Sequence, residues 1–333
     1  MYNVTRDIVV LPEVVTSSKL VGEHPGAIEQ IAHPGPGLEG VRKANRLDGT
    51  TLRTLQSSMA MESYVECSPR PELAGVVRAV WIQRTGTAPY VQRHLPTGGV
   101  ELHFPIGGPA QLIGPLTRAE VEVIPPYTTI VGVRFHPGTA PPLPIVLDDL
   151  VDQRVGLTDL WRGSADRLVE AMALAGTPER ALTYLQARLV REFRTSGQTD
   201  PLMAEAVRAL MPWRPVNIDI VAAHLSLSAS QLRRRSLQAV GLSPKALQRT
   251  LRFQGFLALA QADANAAGPG GPAGLAQLAM DAGYADQAHL NRECLRLTGL
   301  TPRQLIGRCT CGHDHSSSFR PFLAGRTRLL PPV

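Results

Sequence analysis

Leu275-Ala-Gln-Leu-Ala-Met-Asp-Ala-Gly-Tyr-Ala-Asp-Gln-Ala-His-Leu-Asn-Arg-Glu-Cys-Leu-Arg-Leu-Thr-Gly-Leu-Thr-Pro302 decides how the carboxy-terminal third of this 333-residue chain folds. A short apolar helix over Leu275 to Ala282 is followed by Gly283, the residue that tolerates a left-handed turn, and by Tyr284, an aromatic able to plug a helix pair. Asp286 caps the next helix, Gly299 ends it, Thr301 caps a third, and Pro302 takes that helix's first position. The reading is helix, tight turn, helix, stop and restart.

The same design occurs 58 residues earlier. Leu232, Arg234, Leu237, Gly241, Leu242, Ser243, Pro244 and Leu247 are answered by Leu290, Arg292, Leu295, Gly299, Leu300, Thr301, Pro302 and Leu305. Eight matches in one register define an internal repeat. In the first unit Asn217 caps a short helix over Ile218 to Leu225, with Val221, Ala222 and Leu225 on its apolar stripe. That helix is too short to stand alone, so it packs on its successor. The successor starts at Ser228, where Gln231 completes a capping box, and ends before Gly241. Leu232 and Val240 face inward, which leaves Ser230, Gln231, Arg233 and Arg234 outward, side chains suited to base edges and phosphates. In the second unit Gln287, His289, Asn291 and Arg292 hold the equivalent amino-terminal, exposed part. Between the units, Pro244 to about Ala264 reads as one longer helix packing through Leu247, Leu251, Phe256, Leu257 and Ala260.

Charge follows this division. Residues 1–200 carry 19 basic and 21 acidic groups, residues 201–308 carry 12 and 6, and residues 309–333 carry 3 and 1. The whole excess of +6 equals that of the repeat region, as expected of a part that meets a polyanion.

Upstream, residues 1–60 mix Pro/Gly pieces with no sustained period and read as a disordered extension. Residues 61–195 form a strand-rich domain with trailing helices. Val76 to Gln83, Val100 to Phe104, Gln111 to Ile113, Val121 to Ile124 and Ile130 to Phe135 are β-rich runs between Gly and Pro clusters, which points to a small barrel or sandwich. Two helices follow, starting near Thr158 and Thr177, the second with Leu182, Leu185, Leu189 and Phe193 along one face. Residues 201–308 hold the all-helical repeat, and 309–333 a flexible tail containing Cys and His. The fold class is therefore α+β in two domains, a β-barrel or sandwich-like part and then two helix-turn-helix units joined by a long helix. No run approaches the length of a membrane helix, the amino terminus lacks a signal pattern, and four cysteines are too few for a disulfide framework, so a reduced, cytoplasmic setting is expected.

The repeat region, residues 205 to 307, resembles the DNA-binding domain of the AraC/XylS family of bacterial transcription regulators. The resemblance implies two recognition helices in successive major grooves on one face of DNA. Ser230, Gln231, Arg233 and Arg234 then read one groove, and Gln287, Ala288, His289, Asn291 and Arg292 the next. Ser226 stands in the first turn where the family usually has Gly, and Ser236 where a large apolar residue is usual, so the first unit is expected to be looser. The insertion Gly268-Pro-Gly-Gly-Pro272 is expected to loosen the joint before the second unit. Leu73 to Trp81, His94 to Leu102, Ile113 to Thr117 and Gly132 to Ala140 resemble a sensor domain found at the amino terminus of some AraC-like regulators.

Two constellations offer other chemistry. His94, Glu101, His103 and His136 have the ligand types of small β-barrel metal enzymes. With Val100, Leu102 and Phe104 facing a core, however, Glu101 and His103 point to solvent. Cys309, Cys311, His313 and His315 are soft ligands close together, with a spacing that departs from the usual metal motifs. Cys67 and Cys294 read as packed thiols, the latter on the buried side of the second recognition helix. No nucleophile with a nearby base and no phosphate-binding loop is present, so no enzymatic activity and no cofactor is expected.

The leading expectation is a sequence-specific, DNA-binding regulator of transcription. Its expected partners are promoter or operator DNA, an unidentified small-molecule effector, RNA polymerase and a second copy of the chain, with no membrane. The alternatives are a metal-dependent β-barrel enzyme with a DNA-binding appendage, and a metal- or redox-sensing regulator acting through the tail.

Overall fold

Val80, Ile82, Leu102, Phe104, Val131, Val133 and Phe135 alternate along three runs with Trp81, Gln83, Glu101, His103, Gly132 and Arg134. Alternation puts the first set on one face of a sheet and the second on the other. The computed structural model describes residues 62–161, 163–195, 200–213, 216–266, 274–309 and 322–323. The expected extension 1–60, the insertion Gly268 to Pro272, and Cys311, His313 and His315 lie outside these residues, and of Cys309 only the backbone is described.

The strands are β1 (Ser63–Cys67), β2 (Val77–Arg84), β3 (Tyr90–His94), β4 (Glu101–Pro105), β5 (Gln111–Ile113), β6 (Glu120–Ile124), β7 (Thr129–Phe135) and β8 (Arg154–Gly156). Six of them form an antiparallel sheet in the order β1-β2-β7-β4-β5-β8, and β3 and β6 form a separate antiparallel pair. On the apolar face, α1 (Leu157–Trp161), α2 (Gly163–Ala173) and α3 (Pro178–Thr195) bring Leu168, Met172, Leu182, Leu185 and Leu189 against Val80, Leu102, Val133 and Phe135. On the other face lies the β3–β6 pair, whose Tyr90 and Ile124 pack with Trp81 and Ile130. The sheet is thus covered on both sides, which is why β2 is buried along seven of its eight residues. Trp81 lies flat across Gly132 of β7, where any Cβ would meet the indole at 2.0 Å.

This second cover corrects two expectations. Glu101 and His103 do point away from the apolar set, but into the layer beneath β3–β6 rather than to solvent; their side chains are 12% and 4% exposed. Cys67, read as packed, is exposed at the end of β1.

The helical part comprises α4 (Pro201–Ala209), α5 (Ile218–His224), α6 (Ala229–Val240), α7 (Pro244–Ala266), α8 (Leu275–Asp281), α9 (Gln287–Thr298) and α10 (Pro302–Cys309). Asp200 starts α4 by accepting from the amides of Leu202 and Met203. Leu232, Val240, Leu247 and Leu251 join Val221 and Ala222 in one core, while Phe253, Phe256, Leu278, Leu290 and Cys294 build a second around the other unit. The connecting helix α7 contributes to both. Trp213 donates from Nε1 to the Phe322 carbonyl, so the short described piece 322–323 packs against the helical part.

Candidate nucleic-acid interface

The helices of the two units are built by local chemistry that the sequence states. Asn217 accepts from the amide of Asp219 to start α5. Ser228 accepts from the amide of Gln231 at 3.1 Å, and the Gln231 side chain accepts the Ser228 amide at 2.8 Å, so the capping box at the start of α6 is complete. Asp286 accepts from the His289 amide at 2.6 Å at the start of α9. Gly241 and Gly299 end the two helices at φ of 77° and 72°. The turn before α9 bends at Gly283 with φ 79°, and the turn before α6 bends at Ser226 with φ 54°, left-handed although the residue carries a Cβ. Ser236 fills its buried position by donating its hydroxyl to the Leu242 carbonyl at 2.6 Å, tying α6 to the segment after it. The looseness expected there is countered by a hydrogen bond.

On α6, Ser230, Gln231, Arg233 and Arg234 are all exposed. The Gln231 carbonyl oxygen is held by the cap, so its amide nitrogen is the part left to reach outward. The next arginine, Arg235, turns instead to Asp200 at 2.8 Å. On α9, Gln287, Ala288 and Arg292 are exposed, and His289 and Asn291 are half-buried. The His289 ring stands edge-on to Tyr284, centroids 5.2 Å apart, and its Nδ1 accepts from the Ala285 amide at 3.4 Å, so it braces the turn. Among the described residues no ion pair engages Arg233, Arg234 or Arg292. Cys294 is fully buried on the inner side of α9, and burial pushes its thiol up to about 12.

A polar groove of about 410 Å³ lies beside the first unit, lined by Val216, Asn217, Ile218, Lys245, Gln248 and Arg252. Lys245, Gln248 and Arg252 lie three and four residues apart, on one face of α7. Nothing in the sequence marks these three, because the helix's clearest signal is its apolar face. Gln248 donates to the Val216 carbonyl at 2.8 Å, and the Arg252 guanidinium lies 5.7 Å from the centre of the Tyr284 ring.

His94, Glu101, His103 and His136 do not close into a metal cage. His94 Nε2 meets Glu122 at 2.8 Å, and His103 Nε2 meets Glu101 at 3.4 Å, with the two imidazoles 5.3 Å apart. Arg134 donates to Glu101 and Glu66, each at 2.7 Å, and Arg154 reaches Glu122 at 2.9 Å. Burial opposes the charge on Glu101, but Arg134 and the His103 hydrogen bond outweigh it and hold the carboxyl far below its usual range. For Glu122, burial is likewise outweighed by His94 and Arg154, and the carboxyl sits at about 2. Burial keeps His103 neutral-leaning, with its pKa lowered. His136 is not part of this network; burial and then Arg78 depress it to about 4. Among the described residues no group of three or more His, Cys, Asp or Glu could hold a metal ion. The network instead joins β1, β3, β4, β6, β7 and β8 across the layer that the hydrophobic pattern left polar.

A family model described as a helix-turn-helix domain matches residues 221–308, and one described as a domain of unknown function, DUF6597, matches residues 65–156. No curated protein matches the chain. Among solved structures, an apo variant of ToxT from Vibrio cholerae is 9% identical, covers 75% of this chain and 98% of its own, and superposes with a TM-score of 0.37. ToxT from Vibrio cholerae O395 is also 9% identical over 76% of this chain and 98% of its own, at 0.36. An unsaturated fatty acid bound ToxT is 10% identical over 75% and 95%, at 0.34. Likeness at this level transfers no residue role and no ligand. The match at 221–308 takes in both units from Val221 onward, and this part of the chain is an AraC-type helix-turn-helix domain, the DNA-binding part of a transcription regulator.

Proposed function

We propose that this chain lays α6 and α9 into successive major grooves of promoter or operator DNA, and that the strand-rich domain governs this binding in response to a small-molecule effector. The observation that carries the reading is the repeated construction: two helices, each capped, each closed by a left-handed glycine, expose Arg234 and Arg292 at matching positions. Ser230, Arg233, Gln287, Ala288 and Asn291 complete the reading surface, with Gln231 and His289 shared between reading and bracing. Lys245 and Arg252 in the groove beside α5 neutralise backbone phosphate.

RNA polymerase and a second copy of the chain are the further partners of such a regulator, in the cytoplasm. Among the described residues no helix is long and apolar enough to cross a membrane. The reading involves no catalysis, and its test is a footprint on duplexes selected from a random library by the purified chain. Two protected major grooves on one face, centred about one helical turn apart, are expected. Enrichment of no sequence over random DNA at any salt concentration overturns it.

A further inference from the structure

We propose that the segment Pro115–Ala119 of the strand-rich domain is a strut that fixes the separation of the two recognition helices, with Arg93 and Asp152 as its positioning residues. The proposal rests on the two-groove reading above. Both helices meet the strand-rich domain at their carboxy-terminal ends. The last carbonyls of a helix lack intrahelical donors, and a cation or amide placed there is favoured. At the end of α9, Leu297 O accepts from the Ala119 amide at 2.6 Å and Thr298 O from Arg93 Nη1 at 3.2 Å. At the end of α6, Gly241 is met by Leu147 O and Pro115; a Cβ there would lie 2.7 Å from the first and 2.9 Å from the Pro115 ring. One five-residue piece of chain therefore touches the end of both reading helices.

That piece is braced rather than loose. Asp152 accepts from the Thr117 amide at 2.7 Å and from the Thr117 hydroxyl at 2.5 Å, and its own amide donates to Pro115 O at 3.1 Å. Asp152 holds φ 54°, a left-handed conformation kept by these contacts. Arg93 and Ala119 lie at the same end of the β3–β6 pair, where His94 is opposite Glu120. On the pair's inner face His94 and Arg154 bind Glu122, which ties the pair to the six-stranded sheet. The separation of α6 and α9 is thus set by the strand-rich domain as well as by α7, and a shift of the β3–β6 pair moves α9 relative to α6.

The test uses the full-length chain and duplexes selected by the wild type, with one base pair inserted or deleted between the two protected grooves. Each base pair moves the second groove by about 3.4 Å along the axis. Wild type is expected to prefer the selected spacing. Arg93→Ala, and Asp152→Gly, which deletes the brace while accepting φ 54°, are expected to shrink that preference about fivefold or more. Their affinity for a duplex keeping only the second motif is expected to stay unchanged, and Arg93→Lys to restore part of the preference. Wild type protecting two grooves, with an unaltered spacing ratio in both variants, overturns the strut alone. A wild-type footprint over a single groove overturns the two-groove reading itself.

Discussion

Replacing Ser226 with glycine is expected to stabilise the protein, against the usual direction of a glycine substitution. Ser226 sits at φ 54° in the turn between α5 and α6, where its amide donates to Ala223 O and the next amide to Ala222 O, so the conformation is imposed by the turn. A side chain in the left-handed region costs roughly 1–2 kcal/mol. Glycine removes that strain but loses about 0.5–1 kcal/mol through the greater freedom of the unfolded chain. The net gain is about 0.5–1 kcal/mol. The second unit supplies the reciprocal experiment, because Gly283 holds φ 79° and a Cβ there would meet nothing nearer than Pro212 O at 3.4 Å. Gly283→Ala therefore introduces backbone strain almost without collision, partly offset by the lower freedom of the unfolded chain, and is expected to destabilise by about 0.5–1 kcal/mol. Urea unfolding of the full-length chain, followed by far-ultraviolet circular dichroism, reads both as midpoint shifts of opposite sign. A lowered midpoint for Ser226→Gly, or an unmoved one for Gly283→Ala, refutes the strain argument.

Arg234→Ala and Arg292→Ala are each expected to cost about 1–3 kcal/mol in binding a selected duplex, with relaxed preference at one base pair if the contact is to guanine; equal weakening on all sequences marks a phosphate contact instead. Ser236→Ala leaves the buried Leu242 carbonyl without its donor and is expected to lower stability by about 1–3 kcal/mol, measured by urea unfolding. His136 is depressed from 6.5 to about 4 by burial and by Arg78, so the unfolded chain takes up its proton first. Stability is therefore expected to fall as the pH drops from about 6.5 toward about 4, and His136→Gln to flatten that slope in unfolding curves measured across the window.

Legibility in the sequence followed the range of the interaction. The caps at Asn217, Ser228 and Asp286, the stops at Gly241 and Gly299, and the inward faces of Leu232, Val240 and Cys294 depend on residues within a turn or two, and each was readable. β1, β3 and β8 were not, because their inward positions carry Glu66, Gln92, His94 and Arg154, which pair across strands and hide the hydrophobic alternation. The same cause misdirected Glu101 and His103: the apolar set was placed correctly, but a second cover over the opposite face has no signature in β4 itself. In the candidate interface, the exposure of Arg233, Arg234 and Arg292 followed from helical periodicity. The partners of Gln231 and His289, and the reach of Arg93 to Thr298 across 205 positions, required the fold.

The capping box of α6 has a bearing on how such a protein diverges. Gln231 serves the start of its helix and faces outward at once, so a substitution there that alters base preference also removes the reciprocal half of the capping box, a hydrogen bond worth about 0.5–1.5 kcal/mol. Arg233, Arg234 and Arg292 carry no such double duty among the described contacts. Under the two-groove reading, new operator preferences are open to drift at these arginines, while the Gln231 position changes only where stability elsewhere is in surplus.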